Sequence, residues 1–211
     1  MTHFSRCYRG SAEVQKWSRT MGRVYDDITD ELVHWLEAQP VFFVATAPFD
    51  PHTHINVSPR GLDTFRILNQ SRVAWLDLTG SGIETVAHLK AGGSAGGRIT
   101  LMFCAFDGEP RIIRLHGQGR VREPGDGVYE ELHPRFPELP GERAIVDVAV
   151  SRVASSCGFG VPRMELLGPR DQLLISAERK GPAKMAEYRA SKNTRSIDGL
   201  PGLEPRPRGL L

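Results

Sequence analysis

Cysteine is scarce in this chain of 211 residues. The three cysteines, Cys7, Cys104 and Cys157, are widely spaced and form no C-x-x-C pair. An odd number at these spacings favours neither a disulfide framework nor a cysteine zinc site. We therefore expect a reduced, cytoplasmic protein.

Long hydrophobic runs and an excess of one charge are also missing. The longest apolar stretch, 41–47, is far shorter than the roughly 20 residues of a membrane-spanning helix. The segment 1–6 lacks the apolar region of a secretory signal. Lys and Arg number 27 against 25 Asp and Glu, whereas nucleic-acid-binding proteins usually carry a basic face. We therefore expect neither a membrane nor a nucleic-acid partner.

The spacing of apolar residues predicts helix first and short strands afterwards, within a single domain of 1–211. An N-terminal helical segment covers about 11–38; its stronger part is 30–37, and its weaker part is 11–19. The predicted strands are 41–47, 54–58, 64–68, 72–78, 98–106, 111–121 and 144–153. Further helices are predicted at 82–90, 128–132 and 183–192, and an extended tail completes 183–211.

This order of elements favours a mainly β (α+β) fold. Few of the helices are long enough to cross over between parallel strands, so we expect an antiparallel sheet closed into a barrel. Alternation along 111–121 places three apolar residues on one face, namely Ile113, Leu115 and Val121. The opposite face is polar and meets water, a partner subunit or a ligand: Arg114, His116, Gln118 and Arg120.

The connection after the strand 72–78 is the most informative motif. A strand, a short Gly/Ser/Thr turn and a helix start follow one another, and free N–H groups at a helix N-terminus attract anions. Hydroxyls of Thr79, Ser81 and Thr85 add donors for a phosphate. A second interpretation is local: Ser81 caps the helix and Glu84 closes a capping box. The two interpretations are compatible unless Glu84 points inward.

Other motifs are weaker. Arg60, at a strand end, suits a bidentate contact to phosphate, although an arginine beside a turn is often only solvated. His52 and His54 lack a third ligand, so we predict no metal site. A Gly-x-Ser-x-Gly pattern at 92–96 follows a helix, unlike the hydrolase nucleophile. We expect Cys157 to be packed rather than nucleophilic.

Several segments together resemble the pyridoxamine 5'-phosphate oxidase-like family of flavin-binding split barrels. They are VFFVAT at 41–46, NVSPRG at 56–61, WLDLTGSGIET at 75–85, GRITLMF at 97–103 and LHGQGRV at 115–121. Two further segments, 156–162 and 196–203, are similar to those of an uncharacterised bacterial subgroup.

This resemblance implies an antiparallel split β-barrel with flanking helices that binds FMN at a homodimer interface. Apolar side chains such as Phe42, Phe43 and Trp75 are then expected between the subunits. The cofactor-binding residues that it implies are Asn56, Val57, Ser58, Pro59, Arg60, Leu78, Thr79, Ser81, Gly82, Glu84, Thr85 and, from the partner subunit, Gln118.

The chain departs from true pyridoxamine-phosphate oxidases at two places. Those enzymes carry basic residues where this chain has Glu84 and Thr85, and their arginine-containing C-terminal segment has no match in 203–211. Vitamin B6 oxidation is therefore not expected. We predict an FMN-dependent oxidoreductase that acts on a small molecule. The alternatives are a deazaflavin- or haem-binding split barrel and a non-catalytic flavin carrier or sensor.

No side chain stands out as the general acid or base. His88 and His116 qualify only by residue type, so the catalytic residues are left unassigned.

Overall fold

The computed structural model describes residues 22–204. Its strands are β1 (Val24–Tyr25), β2 (Phe42–Thr46), β3 (Asn56–Arg60), β4 (Phe65–Asn69), β5 (Arg72–Leu78), β6 (Gly97–Cys104), β7 (Arg111–Arg122) and β8 (Glu142–Cys157). Its helices are α1 (Asp30–Glu37), α2 (Glu84–Ala91), α3 (Gly127–Leu132) and α4 (Gln172–Lys192), with 3-10 turns at Gly93–Ala95 and His133–Arg135. The predicted helix at 11–19 and the tail residues 205–211 lie outside the described residues.

The strands form one antiparallel sheet in the order β3-β2-β6-β7-β8-β5-β4, and β1 pairs with β8. The predicted antiparallel split barrel is thereby confirmed, but the expected closure of the sheet is wrong. Within residues 22–204 no ladder joins the edge strands β3 and β4. Pro59 in β3 has no N–H to give to a neighbouring strand, which suits an edge position.

The core lies between the inner face of the sheet and the helices. Rings of Phe42, Phe65, Trp75 and Phe103 contact one another, and α1 adds its buried side chains Leu32 and Leu36. The expectation that Phe42 and Trp75 form a subunit interface is wrong, because they are only 3% and 0% exposed within the single chain. Successive strand residues point to opposite faces of a sheet. Of the three side chains expected at the interface, Phe42, Phe43 and Trp75, only Phe43 therefore lies on the outer face.

Predicted boundaries differ from the observed ones mainly at strand ends. β8 continues to Cys157, whose side chain is exposed, so the expectation of a packed thiol is wrong. α4 begins earlier than predicted and is two helical pieces joined at Gly181, where φ is 67°.

The pairing of β7 with β8 contains a register shift between His116 and Gly117. In β7 the predicted division into an apolar inner face and a polar outer face is present.

Candidate functional site

Polar side chains join the edge strand β3 to the end of β5 and the start of α2; we call this junction the seam. Three alternate residues of β3, Asn56, Ser58 and Arg60, are half-buried, whereas Val57 and Pro59 between them are exposed. The polar residues therefore face inward, toward the end of β5 and the start of α2. They include three of the cofactor-binding residues that the sequence predicts.

One end of the seam is a chain of hydrogen bonds between side chains. Asn56 Nδ2 donates to Thr46 Oγ1 at 3.2 Å and to Thr85 Oγ1 at 3.0 Å. Ser58 Oγ donates to Asn56 Oδ1 at 2.8 Å. These bonds tie β2, β3 and α2 together through neutral groups. Neutral donors and acceptors of this kind can exchange partners with the hydroxyls of a ligand.

His88 extends this chain into the protein interior. Its Nδ1 lies 3.0 Å from Thr46 Oγ1, and burial lowers the pKa of the imidazole below its usual value. The ring is therefore neutral near pH 7. The Thr46 hydroxyl has one proton and two lone pairs, so either it or His88 Nδ1 can be the donor in this bond, according to the imidazole tautomer.

The other end of the seam is charged. Asp77 is buried, 2.7 Å from Arg143 Nε and 3.4 Å from Arg60 Nη2. Burial alone would raise the pKa of the Asp77 carboxyl, but the charges of Arg143 and Arg60 and the hydrogen bond from Arg143 lower it below its usual value. Two guanidinium groups thus face one carboxylate, and Arg60 is the partner nearer the surface.

Arg143 and Asn193 hold the turn between β5 and α2. Arg143 Nη1 donates to the carbonyl of Gly82 and to Asn193 Oδ1, both at 3.0 Å. Asn193 Nδ2 donates to the carbonyl of Gly80 at 3.1 Å. Neither residue is among those that the sequence patterns predicted for the site. The available signal was weak: Arg143 is a charged residue directly before the apolar run 144–146.

The C-terminal segment 193–203 lies against the start of α2. Glu84 Oε1 accepts a bond from the N–H of Ile197 at 3.3 Å, and Leu203 packs on Ile83 and Val86. Asp198 is 2.6 Å from His54 Nδ1. The Glu84 carboxylate is therefore held by the C-terminal segment.

The predicted capping box is wrong. Ile83 is the N-cap of α2, it makes no side-chain capping bond, and Glu84 is the first helical residue instead of the third. The carbonyls of Gly80 and Gly82 are bound by Asn193 and Arg143, which keeps the turn out of helical conformation until Ile83.

The structure brings some of the predicted cofactor residues together and separates others. Asn56, Ser58, Arg60 and Thr85 share the seam, and Thr79 is buried at the end of β5. Ser81 is exposed in the turn. Leu78 packs elsewhere, in a cluster around Leu76 and Tyr129. Three others lie on the outer face of the sheet: Val57, Pro59 and Gln118.

Four buried polar atoms near the seam have no hydrogen-bond partner among the described residues: Arg60 Nε, Asp77 Oδ1, Thr79 Oγ1 and His88 Nε2. Of these, Asp77 Oδ1 lies 3.4 Å from Arg60 Nη2 in an ion pair. Leaving such groups unsatisfied costs about 1–3 kcal/mol each. Arg60 Nε and Thr79 Oγ1 can donate, as can His88 Nε2 in one of its two tautomers, so these three atoms suit a ligand that supplies acceptor oxygens. A flavin chain with hydroxyls and a phosphate is a ligand of this kind. In donor chemistry, the residues present fit that group.

The described part of the chain offers neither a metal site nor a membrane span. In residues 22–204 no group of three His, Cys, Asp or Glu side chains is placed to hold a metal ion. No helix in the same range combines the length and the apolar character needed to cross a membrane.

Fold and site together define a split-barrel protein with a polar seam beside its edge strand. No protein-family model matches the chain. A curated relative, the pyridoxamine 5'-phosphate oxidase family protein ustO of Aspergillus flavus, is 40% identical over 201 residues, which cover 87% of this chain and 79% of the relative. The chain belongs to the pyridoxamine 5'-phosphate oxidase family.

The solved structures that resemble this chain are less similar to it in sequence than the curated relative is. HupZ of Group A Streptococcus is 18% identical to this chain, and the TM-score is 0.46. The matched region covers 60% of this chain and 91% of the HupZ chain. The FAD binding protein from Mycobacterium smegmatis is 14% identical, covers 61% of this chain and 94% of its own, and has a TM-score of 0.41.

Proposed function

We propose that this protein is an FMN-dependent oxidoreductase that acts on a small molecule, with the flavin bound at a homodimer interface. The observation that carries this proposal is the seam, where three buried groups that can donate have no hydrogen-bond partner within residues 22–204. Membership of the pyridoxamine 5'-phosphate oxidase family supports a flavin as the missing ligand.

Arg60 is the residue that we assign to the phosphate. Its guanidinium lies at the partly exposed end of the seam, and Nε is unpaired. Arginine binds phosphate through parallel, charge-assisted hydrogen bonds. Hydroxyls of Thr79, Ser81 and Thr85 would add neutral donors. Glu84, which would repel a phosphate if it faced the seam, bonds to Ile197 instead.

Asn56 and Ser58 would hold the hydroxyls of the ribityl chain, since their side chains already form an adaptable network. Val57 and Pro59 on the exposed side of β3, with Gln118 of the partner subunit, would contact the ring. A bound flavin supplies hydride transfer. We assign no general acid or base, and the neutral His88 acts as a positioning residue through Thr46.

A homodimer is supported by apolar side chains on the edge strand and just before it. Ile55 and Val57 are 74% and 65% exposed, and exposed edge strands are normally covered or charged. We also infer a reducing, cytoplasmic location, because Cys104 and Cys157, the two cysteines in the described part of the chain, form no disulfide there.

The first test is an absorbance spectrum of the purified protein, repeated after FMN has been added and the sample desalted. Retained flavin bands support the proposal; a colourless protein that cannot retain FMN contradicts it and turns attention to deazaflavin and haem. Turnover with NADH or NADPH and a range of acceptors then separates an enzyme from a flavin carrier.

The second test is a substitution of Arg60. We expect Arg60→Ala to weaken FMN binding by about 1.5–3 kcal/mol, since it removes a charge-assisted contact. Fluorescence titration measures the affinity, and Arg66→Ala, which removes an arginine paired with Asp63 outside the seam, serves as the control.

Arg60 also pairs with Asp77, so a loss of folding must be separated from a loss of binding. Thermal unfolding of each variant provides this check. Thr85→Val, which keeps the shape of the side chain, should weaken FMN without disturbing the charges. If both variants fold and bind FMN like the wild type, the flavin does not occupy the seam.

A further inference from the structure

A cavity of about 410 Å³ lies at the end of the split barrel where β2 begins, β3 ends and β4 begins. Its walls are the end of α1, the first residue of β2 and the connection from β3 to β4. We call this space the end cavity. None of its lining residues is among those that the proposed function assigns to the flavin or to the homodimer interface. A volume of this size suits a small molecule.

One wall of the end cavity is apolar. It consists of Leu36, Phe42 and Phe65, and the two phenylalanine rings have their centroids 5.3 Å apart. Leu36 and Phe42 are buried in the core, so the packing around them fixes their positions. Hydrocarbon groups of a ligand can be removed from water against this wall.

The lining of the end cavity also holds two carboxylates and one guanidinium, which leaves one negative charge in excess. Arg66 Nη1 and Nη2 donate to Asp63 Oδ1 and Oδ2 at 2.8 and 3.2 Å, and Arg66 Nε donates to the carbonyl of Arg135 at 2.7 Å. Arg66 is thereby bound to partners other than Glu37. The exposed Glu37 has no cationic side chain within 4.0 Å among residues 22–204. Its carboxylate is therefore available to a positively charged ligand.

The end of α1 adds to this negative potential. α1 ends at Glu37, and the last carbonyls of a helix carry a partial negative charge. Gln39 is held at this end, because its Nε2 donates to the carbonyl of Trp35 at 2.8 Å and its N–H donates to that of Leu36 at 3.2 Å. A cation beside Glu37 is thus favoured both by the carboxylate and by the helix end.

The connection from β3 to β4 gives the end cavity a wall with an unusual backbone. Leu62 and Asp63 both have left-handed φ angles, 65° and 49°, which are rare for a bulky residue such as leucine. Thr64 fixes this conformation: its Oγ1 donates to the carbonyl of Gly61 at 2.8 Å, and its carbonyl accepts from the N–H of Leu76 at 2.9 Å. Such conformations cluster where a binding site has to be held in one shape.

We propose that the end cavity binds an aliphatic organic cation, with an alkylammonium nitrogen beside Glu37 and its hydrocarbon chain on Phe42 and Phe65. The carboxylate selects a positive charge through a charge-assisted hydrogen bond. The apolar wall selects a short hydrocarbon chain. This inference goes beyond the proposed function and does not depend on a bound flavin.

The test follows the amide NMR signals of the full-length protein during titration with n-butylammonium, 1-butanol and butyrate, which are similar in length and differ in charge. We expect n-butylammonium to move the signals of Asp63 and Thr64 and to leave those of Asn56 and Ser58 in the seam unchanged. The alcohol and the anion should bind at least about tenfold more weakly. Methylammonium, which keeps the charge and lacks most of the chain, should also bind at least about tenfold more weakly than n-butylammonium.

Substitutions at one position separate charge from shape. Glu37→Gln should weaken n-butylammonium by about tenfold or more, and Glu37→Asp, which keeps the carboxylate, should bind it more tightly than Glu37→Gln does. Glu178→Gln, which removes the same charge from an exposed position of α4, should bind like the wild type. Thermal unfolding of each variant shows that its fold is intact.

Three results would overturn the proposal. The first is that n-butylammonium leaves the Asp63 and Thr64 signals in place or moves only signals of the seam. The second is that Glu37→Gln binds like the wild type, and the third is that 1-butanol binds as tightly as n-butylammonium. Flavin retention is measured by absorbance on the same samples, so that the proposed function succeeds or fails independently of cation binding.

Discussion

The carboxylate of Asp77 is buried between two arginines, Arg60 and Arg143. We expect Asp77→Asn to lower the free energy of unfolding by about 3–5 kcal/mol, since it leaves Arg143 buried without a counter-charge. Asp63→Asn, which removes the exposed partner of Arg66, should cost less than about 1 kcal/mol. Urea unfolding measures both. Similar losses for the two variants would contradict a stabilising role of the buried charges at the seam.

A second residue, His88, is expected to make the stability of the protein depend on pH. Its pKa is lowered by burial, so below about pH 6.5 the unfolded chain takes up a proton that the folded protein resists. The stability that the neutral ring contributes is complete above that pH and is lost as the pH falls, by at most about 1.4 kcal/mol per pH unit. His116 contributes in the same direction.

Unfolding at pH 7.5 and pH 5.5 (about one unit on either side of the usual histidine value) tests this expectation. His88→Gln should reduce the loss of stability on acidification, and His34→Gln, at an exposed position of α1, should not. Equal pH dependence in all three proteins would show that His88 is not protected from protonation.

At the scale of elements, the C-terminal segment 193–203 supports the start of α2. A Cβ on Gly202 would collide with the carbonyl oxygen of Asn193 and with the side chain of Ile83. We therefore expect Gly202→Ala to destabilise the protein by about 1–3 kcal/mol and to loosen the turn that Asn193 holds. Gly160→Ala, where a Cβ meets nothing within 4 Å, is the matched control. Thermal unfolding and FMN retention are measured for both variants. Equal results for Gly202→Ala and Gly160→Ala would contradict a supporting role of the segment 193–203.

The elements differ in how well local sequence patterns predicted them. Alternation and turn residues predicted most of the described strands within a few residues, because burial of one sheet face repeats every two residues. The predicted start of α2 was wrong, since side chains from β8 and the C-terminal segment decide where that helix begins. Asn193 is 113 positions from Gly80, and no local pattern records such a contact.

For the whole molecule, we expect a dimer at micromolar concentration in sedimentation equilibrium. Val57→Lys, which places a charge on the exposed side of the edge strand β3, should shift the equilibrium toward monomer. Leu167→Lys, at a similarly exposed apolar residue outside β3, should leave it unchanged. A monomeric wild type would exclude a cofactor site shared between subunits.

The sequence by itself determined the β-rich, antiparallel character of the fold, the family resemblance and the region in which a cofactor site was expected. Each depends on residue type and short-range periodicity. Only the tertiary structure decided that the sheet stays open at β3, that Glu84 bonds to the C-terminal segment, and that Asp77 lies between Arg60 and Arg143. These features depend on contacts between residues far apart in the chain. Burying a charge or a polar group costs free energy unless a partner is present, and this cost decides which of the possible contacts form.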